Sequence, residues 1–454
     1  MADAVRRYRP VPGLAELGDS HIRYSERMMP LLAALCSRFA AEKPFEGLSI
    51  AACLHVTAET AVFIRALRAG GARVALAASN PLSTQDDIAA ALAAEGVHVF
   101  AKSGVDRLVY YEHILAALDA SATPTPSGSN AQTPASIGAK SAFEPDAAAT
   151  VRGPELVIDD GGDLVSTLHT ERPALLRGVR GGCEGTTTGV LRLRRMAADG
   201  TLAFPVIAAS DTPVTRIVDN THGTAQSVLD GLLRASGVLL AGKTVVVAGF
   251  GACGSGIAEC ARALGARVVV TEVDPVRALD AVLRGFLVLP IAEAAPLGEI
   301  FITATGSTQV ITAEHLAVLR DGAILANAGH FDVEIDVRAL ATMAVAVHTD
   351  VRPHADAYEL PDGRRLLLLA EGRVVNLVAA DAHPPEVMDL AFGIEALALA
   401  RLAGSAKQLP PGVHRAPPDI DAEAARLVLA GLGARLDTLT KAQQSYLANW
   451  HLGS

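Results

Sequence analysis

Short apolar runs alternate with Ala-rich stretches along the first part of the chain. Residues 48–54 read as a strand, 57–69 as a helix and 73–77 as the next strand, and 97–100 and 156–158 continue the series. Alternation of this kind predicts a parallel sheet covered by helices on both faces. A second run of the same type begins near Thr244 and continues to about Val375, and the stretch from Val387 onward reads as helical. The expected fold is α/β, with two doubly wound parallel-sheet domains and C-terminal helices returning to the first. One segment breaks the pattern. Residues 121–139 are almost entirely Ser, Thr, Pro, Ala, Gly, Asn and Gln, too polar to offset their ordering entropy by burial. They predict a flexible surface insertion, taken over 121–150.

Composition narrows the class. With 454 residues, 50% hydrophobic and 19% charged, the chain can build more than one core, as ordinary soluble enzymes do. A net charge of −10 without a basic tract argues against nucleic acid or an anionic membrane as partner. Cys36, Cys53, Cys183, Cys253 and Cys260 show no CxxC spacing and no zinc-type pairing with His. No metal site is expected, and reduced thiols in a cytoplasm are. The N-terminus lacks the apolar stretch of a signal peptide. The most apolar region, 238–270, is interrupted by Lys243, Glu259, Arg262 and Arg267 and reads as buried strands and a helix, not a membrane span.

The strongest chemical signal lies inside that region. A β-branched strand over 244–248 runs into Gly249-Phe250-Gly251-Ala252-Cys253-Gly254, then a helix over 255–264, then a strand ending at Glu272. Glycines let a backbone approach a pyrophosphate, and a helix N-terminus supplies N–H groups and the positive end of a dipole. Glu272 stands where a carboxylate accepts both ribose hydroxyls of an adenosine half and repels a 2′-phosphate, which favours NAD over NADP. The bland alternative is a glycine-rich turn without a nucleotide. Strand, loop, helix and acidic strand end all agree against it. Cys253 and Cys260 read as small packing residues rather than redox groups.

Other polar clusters fall at expected strand ends, where open α/β sheets bind ligands. They are His55 with Thr57; Asn80 with Ser83 to Asp86; Asp159-Asp160-Gly161-Gly162-Asp163; and Glu184-Gly185-Thr186-Thr187-Thr188-Gly189. Asp219-Asn220, Asn327 to Asp332 around His330, Asn376, and His383-Pro384 follow. Each has a structural reading too. Asp159 to Gly162 is a good turn, Thr186 to Thr188 fit a strand edge or a helix cap, and a lone His is commonly a satisfied structural residue.

Together these stretches resemble the S-adenosyl-L-homocysteine hydrolase family over nearly the whole chain. The resemblance is carried by HVTAETAVFIRAL from His55, SNPLSTQDDIAAALA from Ser79, IDDGGDLVSTLHTERPALLRGVRGGCEGTTTGV from Ile158, VDNTHGTAQSVLDGLLRA from Val218, AGKTVVVAGFGACGSG from Ala241 and ANAGHFDVEIDV from Ala326. It implies NAD-dependent oxidation of a nucleoside at C3′, elimination of the C5′ substituent through a 4′,5′-alkene, addition of a nucleophile, and return of the hydride. It places Thr57, Asp160, Gly185, Thr215, Asp219 and His383 at the substrate. His55, Asp160, Asp219, Asn220 and His330 become the catalytic candidates, with Asp160 an acid–base near C4′ and C5′, His55 a proton carrier at C5′ and Asp219 facing the 3′-hydroxyl. Thr186, Thr187, Thr188, Asn220, Gly249, Gly251, Gly254, Glu272, Arg277, His330 and Asn376 become the NAD set. It divides the chain into a substrate-binding domain (1–218), a Rossmann NAD domain (219–380) and C-terminal helices (381–454) that pack on the substrate domain and at the interface of a homo-oligomer, a tetramer or dimer.

The chain departs from the family's pattern at four places. Gly185 stands where the family has a second acid that helps hold the ribose hydroxyls. Thr215 stands where the family has a lysine at the 3′-oxygen; the neighbouring Arg216 stays charged and cannot act as a base. Asp381-Ala382 replaces Met-Gly before His383-Pro384. The Lys- and Tyr-bearing tail that completes a neighbour's NAD site is not recognisable in the last residues. Two changes at one sugar predict a pocket opened and made less negative at Gly185, suited to a bulkier sugar such as a ketose nucleoside. Three readings result. The first is a divergent paralogue acting on a modified adenine nucleoside, with net 5′-dehydration as in nucleoside-antibiotic biosynthesis. The second is an ordinary S-adenosyl-L-homocysteine hydrolase. The third is an NAD-binding regulator without catalysis.

Overall fold

The computed structural model describes residues 8, 13–124, 151–404 and 409–452. The first sheet has seven strands, all parallel. Their spatial order is Gly412–Arg415, Pro205–Ala208, Gly181–Glu184, Leu156–Asp159, Ser49–Leu54, Arg73–Ala78 and His98–Phe100. The central strand Ser49–Leu54 shows why this sheet is doubly wound. Ile50, Ala52 and Leu54 enter one hydrophobic core while Ala51 and Cys53 enter the core on the other face. The helix after it, Ala58–Ala69, starts where Thr57 turns its hydroxyl back to the Thr60 N–H.

The second sheet has eight strands, in the order Leu287–Val288, Arg267–Thr271, Thr244–Ala248, Ile300–Thr303, Ile324–Asn327, Arg365–Leu369, Ala355–Glu359 and Ala346–Arg352. Strand Thr244–Ala248 is again buried on both faces, with Val245 and Val247 in one core and Val246 in the other. The last two strands are an antiparallel edge hairpin, so this sheet is mixed and not wholly parallel as expected. Its outermost strand, Ala346–Arg352, is largely exposed. It needs cover on one face at most, and so lacks the continuous apolar run of the inner strands.

The helix Pro385–Gly404 returns to the first sheet. Phe392 stacks on Phe63 at 4.8 Å. The Asp389 carboxylate accepts the backbone N–H groups of Leu31 and Leu32 at 2.8 and 2.7 Å, capping helix Pro30–Glu42. Beyond it the stretch expected to be helical contains the strand Gly412–Arg415, which completes the first sheet's edge on Pro205–Ala208. Its formation depends on that distant partner and not on a local pattern. Most of the predicted insertion, 125–150, lies outside the described residues. Its first part is framework: Ser121 ends helix Arg107–Ser121, and Thr123–Pro124 pairs with Val151–Arg152. Among the described residues no helix is long and apolar enough to cross a membrane.

Candidate active site

The carboxyl ends of both sheets point at one cleft of about 460 Å³. His55 follows strand Ser49–Leu54, Asp160 follows Leu156–Asp159, and Gly185 follows Gly181–Glu184. From the second sheet come the glycine loop after Thr244–Ala248 and the loop after Ile324–Asn327 that carries His330. Asn327 fixes that loop. Its Oδ1 accepts the Gly329 N–H at 2.7 Å, and its Nδ2 donates to the carbonyls of Gly329, Phe331 and Gly372 at 3.1, 2.9 and 3.0 Å. His330 thereby crosses the cleft. Its ring centre lies 6.3 Å from that of His55. Its Nε2 lies 2.8 Å from where a Cβ on Gly161 would be, and Gly161 has φ +105°, so only glycine fits there.

Asp219 and Asn220 sit in a π-type turn, Arg216–Gly223, that joins the first domain to helix Thr224–Ser236. Such wide turns recur at functional sites because they re-aim side chains. Asp219 Oδ1 stands 3.4 Å from His383 Nδ1, whose Nε2 is 3.2 Å from Thr224 Oγ1. Burial pushes the Asp219 carboxyl up, and His383 partly offsets this. Asp160 is pushed up to about 7 by burial and by Asp219. His55 Nδ1 is 2.7 Å from Ser83 Oγ and 3.2 Å from Ser79 Oγ. Burial, then His330 and His383, lower its imidazole to about 3, so the ring is neutral. Acids raised toward neutrality beside the neutral His55 form a set that can hold and pass protons at pH 7.

The nucleotide side is a cradle that glycine makes possible. Gly249 has φ +96°, and a Cβ there would lie 2.8 Å from the Ala304 carbonyl oxygen; a Cβ on Gly254 would lie 1.9 Å from the Gly249 oxygen. Gly251 is different. It is the residue before helix Ala252–Ala263, and a Cβ there would meet only Arg277 Nη1 at 3.5 Å. Gly251, Ala252, Cys253 and Arg277 line the cleft, so the helix N-terminus opens onto it and the donor set fits a dinucleotide pyrophosphate. Glu272 accepts the Phe250 N–H at 2.7 Å, the Val273 N–H at 2.6 Å and the Asp274 N–H at 2.9 Å. Burial raises its carboxyl, but these donors and Arg277 outweigh that and hold it below its ordinary value. It ties the strand end to the glycine loop. Glu272→Ala should therefore weaken NAD binding roughly tenfold or more and narrow the preference over NADP, read as bound nucleotide after desalting. Unchanged occupancy would refute this tie. The Cys253 thiol is pushed up to about 11 by burial and Asp219, which suits a packing residue.

The cleft gathers His55, Thr57, Asp160, Gly185, Thr186, Thr187, Thr188, Asp219, Asn220, Gly251, Arg277, His330, Asn376 and His383. Gly249, Gly254 and Glu272 stand behind it as supports. Thr186 also caps helix Thr187–Ala198, accepting the Gly189 N–H at 3.0 Å and donating to Glu184 Oε1 at 2.7 Å. Asn376 is buried and donates from Nδ2 to Ser227 Oγ at 3.1 Å. Two expectations need correction. Thr215 does not line the cleft. It is buried, and its hydroxyl accepts from Thr212 Oγ1 at 2.9 Å, because it closes the short turn that Thr212 caps. The space at Gly185 is not open, and its charge is not lost. A Cβ there would lie 2.4 Å from Asp160 Oδ1 and 2.7 Å from Glu395 Oε1. Glu395, with Glu59, Met388 and Phe392, also lines the cleft and was missed. The signal for Glu395 was a lone acid in the apolar run of helix Pro385–Gly404.

Two family models match the chain: "S-adenosyl-L-homocysteine hydrolase" over residues 12–133, and "S-adenosyl-L-homocysteine hydrolase, NAD binding domain" over residues 220–382. An adenosylhomocysteinase of Aquifex aeolicus is 48% identical over 442 residues, covering 97% of this chain and 98% of that one. One of Aeropyrum pernix is 49% identical over 437 residues, covering 96% and 97%. One of Saccharolobus solfataricus is 46% identical over 441 residues, covering 97% and 98%. With its glycine cradle and acid–imidazole cleft, this chain belongs to the S-adenosyl-L-homocysteine hydrolase family and is an enzyme that uses NAD.

Proposed function

We propose that the enzyme cleaves S-adenosyl-L-homocysteine into adenosine and homocysteine. The observation that carries this is the convergence of Asp160, Asp219, His55 and His330 on a cleft whose other wall is the glycine loop. An NAD held by the glycine loop 249–254 and Glu272 would supply reversible hydride acceptance at the sugar C3′. Asp219, steadied by His383, receives the proton of the 3′-hydroxyl. Asp160, poised near neutrality, removes the C4′ proton that the 3′-ketone acidifies. Neutral His55 relays to the leaving group at C5′ the proton that Asp160 takes from C4′, and carries the proton of the attacking water back the other way. His330 and Asn220 close the space between sugar and nicotinamide, and Thr57 and His383 border the nucleoside. Thr186, Thr187, Thr188, Arg277 and Asn376 complete the NAD side. In this scheme 1–218 binds substrate, 219–380 binds NAD, and 381–454 packs on the former and at a homo-oligomer interface. Exposed Leu432, Leu436, Leu447 and Trp450 in the last segment support a partner copy there.

One observation favours a second reading. No lysine is among the described residues that line the cleft, and Thr215 turns away from it. In that reading the same oxidation and elimination act on another adenine nucleoside, with net loss of water from C5′. Incubation of the NAD-loaded protein with S-adenosyl-L-homocysteine, and separately with adenine nucleosides, distinguishes the two. Fast homocysteine release is the expected result. An unsaturated nucleoside without homocysteine release would overturn the first reading in favour of the second.

A further inference from the structure

Helix Pro385–Gly404 is apolar along nearly all of its buried face, yet it carries Glu395 inward at 3% exposure. Oε2 of this carboxyl has no hydrogen-bond partner. A buried oxygen left this way is destabilising, and the side chain lines the cleft. Oε1 shares one small space with Asp160 Oδ1. Both lie within 3 Å of the point where a Cβ on Gly185 would sit, so the two oxygens are at most about 5 Å apart. Positions 185 and 395 therefore compete for one space: a side chain at 185 would force the Asp160 or Glu395 carboxyl to move. Asp219 lines the same cleft, and burial with Asp160 and Asp219 pushes the Glu395 carboxyl well up.

An unsatisfied oxygen among acids needs a cation or a set of hydrogen-bond donors. Among the described residues no three His, Cys, Asp or Glu side chains are placed to hold a metal ion. Neutral donors that present adjacent O–H groups to clustered carboxyl oxygens are the hydroxyls of a vicinal diol. A site built to accept from a hydroxyl rejects an analogue that lacks it, because the buried acceptor is then left bare.

We propose that Glu395 is a substrate-binding residue that accepts hydrogen bonds from the ribose diol of the nucleoside, reaching from helix Pro385–Gly404 into the space that Gly185 leaves free. This rests on the nucleoside reading given above. Gly185 and Glu395 form one functional pair: the acid at this sugar subsite comes from the C-terminal helix and not from the end of strand Gly181–Glu184. The diol thus sits between Glu395 and the proton-handling residues Asp160 and Asp219, which sets its angle to both.

The test uses NAD-loaded protein and calorimetric titration with adenosine, 2′-deoxyadenosine and 3′-deoxyadenosine. Wild type should bind adenosine at least tenfold more tightly than one of the deoxy analogues. Glu395→Gln and Glu395→Ala should weaken adenosine roughly 10–100-fold and change that analogue less than threefold, so that discrimination collapses. The isosteric Gln variant should lose neither melting temperature nor NAD content. Gly185→Glu alone should be inactive, because its side chain meets both carboxyls. Combined with Glu395→Ala, which frees that space, it should regain discrimination at least tenfold over the single Ala variant. Wild-type discrimination in both Glu395 variants, or an equal loss for all three nucleosides, would overturn the proposal while leaving the nucleoside reading intact. Failure of wild type to bind any of the three would overturn that reading, and the proposal with it.

Discussion

Asp160→Asn should lower kcat/KM by roughly 10²–10⁴-fold, the usual worth of a general acid–base, and should raise the melting temperature above pH 7. Both effects come from one cause. Asp160 is buried, and burial with Asp219 lifts its carboxyl from 3.8 to about 7. The folded state therefore binds this proton more tightly than the unfolded chain does. Stability conferred by the protonated form is fully present near pH 4 and is lost as pH rises towards 7. Above 7 the folded chain carries an ionised buried carboxylate. The Asn variant resembles the protonated form at every pH, so its advantage in melting temperature should open between about pH 4 and 7 and stay open above. In wild type, kcat/KM should rise through a limb near pH 7 as the base ionises, and the residual activity of the variant should lack that limb. A melting difference that does not depend on pH, or a wild-type profile flat through neutrality, would show that Asp160 does not carry this proton.

Asp160 was legible in the sequence, and its environment was not. The turn Asp159 to Gly162, the glycine loop and Glu272 are each written within a few residues, because strand, turn and helix start are local events. The doubly wound order followed from apolar runs buried on both faces, as in Ser49–Leu54 and Thr244–Ala248. What was missed depends on partners distant in sequence. The strand Gly412–Arg415 forms against Pro205–Ala208, and the hairpin Ala346–Arg352 with Ala355–Glu359 covers an edge. Read alone, Gly185 signified a lost acid and an opened pocket. The contact that fills the space comes from Glu395, which no local pattern connects to Gly185. Thr215 likewise looked like a site residue by alignment, while its hydroxyl is held by Thr212.

Gly254→Ala should abolish NAD retention and destabilise the fold, whereas Gly251→Ala should weaken NAD binding and leave the apo fold nearly unchanged. The two glycines differ in what a methyl group would meet. At Gly254 it would lie 1.9 Å from the Gly249 oxygen and 2.8 Å from the Gly249 carbonyl carbon. Both are backbone atoms of the same loop, and Gly249 cannot withdraw, because its own φ of +96° and its approach to Ala304 already fix it. Relief requires helix Ala252–Ala263 to move away from strand Thr244–Ala248, which breaks the packing of Ile257 and Ala258 in the second domain's core. Overpacking of this kind typically costs about 1–3 kcal/mol, and the N–H groups that face the pyrophosphate move with the helix. At Gly251 the methyl meets only Arg277 Nη1 at 3.5 Å, an ordinary contact at the end of a flexible side chain. It would instead project where the loop lines the cleft. Bound nucleotide per chain after gel filtration, with the melting temperature of the apo protein, separates the cases. NAD content should fall in both variants, and melting temperature only in Gly254→Ala. Equal melting losses would mean that Gly251 is also a packing glycine, and full NAD content in Gly254→Ala would mean that the loop can open without losing its grip.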